Sequence, residues 1–83
     1  MPKVISLVEL KPGVPVRLES IAGGQSVRQR LFSLGFHVGD TVEVKTQGIL
    51  RGPVLVMNLT TGNSVAIGRG IAGKIRVEVD GVS

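Results

Sequence analysis

One histidine, six carboxylates and no cysteine are the whole stock from which this 83-residue chain could build acid–base, nucleophilic or metal chemistry. His37 stands between Phe36 and the turn Val38-Gly39-Asp40. To hold a metal it needs companions at ligand spacing, and its nearest acids, Asp40 and Glu43, complete no recognised pattern. His37 therefore reads as an exposed loop histidine, with a weak metal ligand as the alternative. Glu9, Glu19, Asp40, Glu43, Glu78 and Asp80 are dispersed, so no carboxylate pair is set up for general acid–base work. The stretch Gly68-Arg69-Gly70-Ile71-Ala72-Gly73 spells G-x-G-x-x-G. A dinucleotide site requires that motif between a strand and a helix in a unit of about 30 residues. The residues that follow, Lys74 to Val79, alternate as a strand, so the glycines read as a sharp corner or a 3₁₀ turn. There is no phosphate-binding lysine loop. The chain is expected to be no enzyme, with no catalytic residue and no cofactor.

Charge and aromatic content narrow the partners. Ten basic residues against six acidic ones give a net charge of +4, yet no two basic residues are adjacent. A nucleic-acid binder gathers its cations into a stripe and stacks bases on aromatic rings. This chain has two Phe and neither Tyr nor Trp, so nucleic acid is not the expected partner. Proline-rich peptides also need an aromatic groove. The dispersed charge reads as a solvated basic surface, with an acidic protein or an anionic membrane face as the alternative. The candidate contact is Gly48-Ile49-Leu50-Arg51-Gly52. Its two aliphatics either fold back onto the body or stand out as an apolar contact, and arginine such as Arg51 is enriched at interfaces. Phe32 either widens a core face or shows on the surface beside Arg28. Ile49, Leu50, Arg51, Phe32 and Arg28 are thus the candidate partner-binding residues.

Short strands and one helix must position these groups. The helix spans about residues 26–34, with Ser26 as N-cap and Val27, Leu31 and Leu34 on one face. Gly35 takes the left-handed position after it. Such a helix is too short to stand alone and must pack on the strands. Ser6 caps a turn through Leu7-Val8-Glu9-Leu10, and Lys11-Pro12-Gly13 stops it. Strands are predicted over 15–21, 41–45, 54–59, 64–67 and 74–79, and residues 80–83 read as a frayed tail. The 54–59 run is apolar on both sides and reads as a central strand. The fold class is all-β with short helices, a small SH3-like five-stranded barrel with one inserted helix. An OB-fold is the alternative, though its helix falls later in the chain. Residues 1–83 read as one domain. No apolar run approaches the ~20 residues of a bilayer span, and the N-terminus is no signal peptide, so a cytoplasmic location is expected.

Four ordered stretches carry a family resemblance. They are 7–13 (LVELKPG), 28–40 (RQRLFSLGFHVGD), 52–56 (GPVLV) and 62–77 (GNSVAIGRGIAGKIRV). Together they resemble the FeoA family, small cytosolic proteins of bacterial ferrous iron uptake, and also the C-terminal barrel of DtxR-type metalloregulators. The resemblance implies an SH3-like barrel acting as a protein-interaction module on FeoB, the membrane iron permease with a GTPase domain. A second copy of the chain is the alternative partner. The resemblance brings no catalytic residues and no metal site.

Overall fold

Alternation of apolar and polar side chains produces six strands in the computed structural model, which describes residues 2–48 and 50–79. They are β1 (Lys3–Ser6), β2 (Pro15–Ile21), β3 (Thr41–Thr46), β4 (Val54–Asn58), β5 (Ser64–Ile67) and β6 (Ile75–Val79). Helix α1 (Gln25–Ser33) lies between β2 and β3, and a one-turn helix, α2 (Arg69–Ala72), between β5 and β6. The strands form one antiparallel sheet in the order β1-β6-β2-β3-β4-β5. Register shifts between Leu18 and Ser20 and between Val44 and Thr46 add the local twist by which such a sheet curls. The result is the small SH3-like fold expected from the strand pattern. Its inner face carries Val16, Leu18, Val42, Val44, Val54, Val56, Ile75 and Val77, all buried. Leu7, Leu10, Leu31, Phe36 and Ala72 from the turns and helices close that core.

Three details differ from the sequence reading. A sixth strand, β1, pairs with β6 from Lys3↔Val79 to Ser6↔Arg76. Its four residues are too few to show alternation, and only the ladder with a strand some 70 positions away defines it. The 3₁₀ turn Leu7–Glu9 follows with Ser6 as its cap, as expected, and the Ser6 hydroxyl also donates to the Gly73 carbonyl. The N-cap of α1 is Gly24 at φ +87, not Ser26, so the helix starts one residue early without a side-chain cap. Leu34 is outside the core at 36% exposure, and Leu31 is the helix's fully buried residue. The chain turns away at Gly35 (φ +92). There the Phe36 amide donates to the Leu31 carbonyl and the Gly35 amide to Phe32, each at 3.0 Å, which is a Schellman closure. That closure carries Phe36 into the core in place of Leu34. The predicted tail, 80–83, lies outside the described residues.

Candidate protein-interaction site

The β3–β4 hairpin is built to present its tip. Thr46 pairs with Leu55, and the intervening loop leaves the sheet through Gly48 at φ +82. A Cβ at Gly48 would lie 2.6 Å from the Pro53 carbonyl oxygen and 2.7 Å from that of Gly52, so glycine alone fits this close backbone approach. The base of the loop is tied down from both sides. Gln47 Nε2 donates to the carbonyls of Leu7 and Leu10. Arg69 Nη1, reaching from α2, donates to the Gln47 carbonyl at 2.7 Å, and the Gly48 amide donates to Thr46 Oγ1 at 2.8 Å. Above this base Leu50 and Arg51 have φ +55 and +62. Two consecutive positive φ values characterise the tight hairpin turn that normally takes Asn and Gly. A branched or long side chain in that region is strained by about 1 kcal/mol or more. Leu50 is 95% exposed, so of the two expectations for this side chain, projection is the one observed. Arg51 is exposed beside it. Ile49 lies outside the described residues.

Arg28 and Phe32 are elsewhere. Both are exposed on α1, and the Phe32 ring meets the His37 imidazole edge-to-face at 4.6 Å between centroids. His37 and Asp40 belong to a polar knot at the far end of β4. The Asn58 amide is fully buried. Its Nδ2 donates to the Gly35 carbonyl at 2.9 Å and to Asp40 Oδ2 at 2.7 Å, and its Oδ1 accepts from the amides of Thr60 and Thr61. Asp40 Oδ2 also accepts from the His37 backbone amide at 2.9 Å and lies 3.3 Å from His37 Nδ1. Burial alone pushes the Asp40 carboxyl up. The bonds from Asn58 and His37 outweigh it and hold the carboxyl below the ordinary carboxylate range.

The five candidate residues therefore do not form one patch. Leu50 and Arg51 precede Val54, whereas Phe32 connects through His37 and Asp40 to Asn58, so the two groups sit at opposite ends of β4. Five residues of strand separate those ends by about 13 Å or more. Among the described residues no three of His, Cys, Asp and Glu come together as a metal-binding group. His37, the sequence's metal candidate, instead serves the Asp40 turn and the Phe32 ring. The sequence reading missed Gln47, Arg69 and Asn58, the side chains that hold both ends in place. Only Asn58 left a trace, as a polar residue in an otherwise apolar strand.

Comparison with known proteins agrees with the fold. The FeoA domain family model matches residues 5–79. A protein of Methanocaldococcus jannaschii described as a putative Fe(2+) transport protein A is 41% identical over 69 residues, which are 82% of this chain and 78% of that one. The crystal structure of an iron uptake regulatory protein, FeoA, superposes with a TM-score of 0.79 at 33% identity, covering 93% of this chain and 99% of that chain. A manganese-dependent transcriptional repressor shares the fold, at TM-score 0.81 and 18% identity, across 42% of its own length.

Proposed function

The chain belongs to the FeoA family, and from that premise we propose that it is an accessory protein of ferrous iron transport that docks on the cytosolic side of a FeoB-type permease through its β3–β4 hairpin tip. The observation that carries this is Leu50, a large aliphatic almost wholly in solvent on a backbone held at positive φ. A fold optimised for stability alone places Asn or Gly there. Strain of this kind persists where the surrounding structure imposes it, and it clusters at binding sites. Here Gln47, Gly48 and Arg69 impose it. The preorganised tip loses little conformational entropy when a partner pocket closes over Leu50, and Arg51 supplies a donor fork at its rim. Ile49 adjoins them in sequence and is assigned to the same contact.

In this reading the chain is a binding module that catalyses nothing, works in the cytoplasm and forms one domain over residues 1–83. No helix among the described residues is long and apolar enough to cross a membrane, which suits a module that approaches a membrane transporter from the side. The test is Leu50→Asp in a pull-down with the cytosolic part of FeoB and in iron-uptake complementation. Because Leu50 packs on nothing, the variant is expected to keep its urea midpoint and lose binding and complementation. A variant that still binds and complements removes the tip from the interface.

A further inference from the structure

We infer that the other end of β4 is a second, separate docking surface, and that its occupant is an acidic, apolar polypeptide segment. Seven large apolar side chains are exposed among the described residues, and four of them lie on the segments that Asn58 joins at this end. Phe32 (64% exposed), Leu34 and Val38 (62%) come from α1 and the loop behind it, and Leu59 follows Asn58. The Asn58 knot unites these segments, since one amide bonds to Gly35, Asp40, Thr60 and Thr61. The patch therefore rests on a rigid base. The T-shaped contact with His37 restrains the Phe32 ring, so its exposed surface is offered at little entropic cost.

Charge identifies the occupant. Across residues 25–40 the cations are Arg28 and Arg30, both exposed on α1, and the sole carboxylate is Asp40. Asp40 is already occupied by Asn58 and His37. Glu19, on the neighbouring β2, accepts from the Ser20 hydroxyl. An apolar patch flanked by two guanidinium groups that make no ion pair among the described residues is complementary to a segment with aliphatics on one side and carboxylates at its edge. A second copy in an isologous contact would set Arg28 and Arg30 against themselves. Three of the four apolar side chains are aliphatic, which favours a peptide over a stacked base. The helix itself points the same way. Of α1's nine residues Leu31 is fully buried and Val27 packs half-buried on the core, a narrow core-facing stripe that leaves the Arg28–Phe32 side of the helix open.

The test uses the full chain and a synthetic amphipathic peptide with leucines at i, i+3, i+4 and i+7 and glutamates on its other face. Its lysine counterpart and a single-stranded oligonucleotide serve as competitors. Backbone amide spectra are expected to shift at residues 32–38 and 59 with the acidic peptide, and to stay unmoved at 50–52. Arg28→Glu with Arg30→Glu should weaken binding about tenfold or more, Phe32→Ala should weaken it too, and added salt should act in the same direction. If the double variant unfolds, Arg28→Gln alone supplies the comparison, because an exposed neutral replacement leaves packing intact. No shifts, equal binding of the lysine peptide, shifts confined to the hairpin tip, stronger binding of the oligonucleotide, or self-association without peptide would each overturn the proposal. Leu50→Asp should bind the peptide like the wild type, so failure of this surface and failure of the hairpin docking are read separately.

Discussion

The two ends of β4 are built on opposite terms. At Asn58 every hydrogen-bonding atom of a buried side chain is used, and the backbone around it turns at Gly35 and Gly39, where positive φ costs little. At Leu50 and Arg51 the positive φ falls on residues with a Cβ, and beneath them the buried Gln47 Oε1 has no hydrogen-bond partner among the described residues. One end contributes stability and carries its exposed groups on a finished scaffold. The other gives stability up in order to hold one leucine in solvent. The comparison teaches that exposed apolar groups can be carried either on a fully hydrogen-bonded scaffold or on a strained one. What distinguishes the tip is exposure combined with a conformation the residues do not prefer.

The first way to break this contrast is to empty the plug beneath α1. Leu31 is fully buried and Leu34 is not. Leu31→Ala is expected to cost about 4 kcal/mol, as for other buried leucine truncations, and Leu34→Ala less than about 1 kcal/mol. Urea midpoints of the two variants decide it. Equal losses would show that α1 packs by a wider face than its single buried residue implies.

Asn58→Ala comes next. It orphans the Gly35 carbonyl, the amides of Thr60 and Thr61, and one donor to Asp40. Some of these groups reach water once the side chain is gone, so about 3 kcal/mol is expected. The amide signals of residues 35–40 and 59–61 should broaden or move together. A loss below about 1 kcal/mol would mean that water replaces the amide and that the end is not rigid.

Much of this architecture was legible in the chain and some was not, for a physical reason. Strands β2 and β5 carry the predicted bounds, and the closure after α1 follows from Leu34-Gly35. These features depend on residues within one turn of each other. The α1 cap failed because Gly24 takes the N-cap position two residues before Ser26 could act. Leu34 was misplaced because a 3.6-residue stripe assumes the helix continues, whereas the Schellman turn ends it. The anchors of the candidate sites were invisible for another reason. Gln47 reaches Leu7 across 40 positions, Arg69 reaches Gln47 across 22 and Asn58 reaches Asp40 across 18. No local pattern encodes such pairs, so the tip was legible as a candidate while the means of holding it was not.

A gain in stability sharpens the contrast from the other end. Arg51→Gly relieves the positive φ of one residue and should raise stability by about 1 kcal/mol, reduced somewhat by the greater freedom of glycine in the unfolded chain. The same change should weaken docking on the permease, because the tip loses both its guanidinium and its rigidity. A variant that is both more stable and fully functional would show that the strained turn serves no contact.

The smallest effect concerns acid. In the folded chain burial pushes the Asp40 carboxyl up, but donors from Asn58 and His37 hold it below the ordinary range. In the unfolded chain it titrates near its usual value of about 3.9. The folded state therefore binds fewer protons in this window, and stability rises with pH there. The contribution is complete above the unfolded value and is lost as pH falls through the folded one. Because the Asp40 side chain retains some contact with solvent and the His37 ring is 43% exposed, screening keeps the effect small. Urea midpoints between about pH 5 and pH 2 should fall more steeply for the wild type than for Asp40→Asn, which lacks the titrating group. Hairpin docking, measured where both variants are folded, should not distinguish them, since Asp40 belongs to the far end of β4. Parallel pH profiles would place the acid sensitivity in other carboxylates and leave the Asn58 knot a neutral hydrogen-bond network.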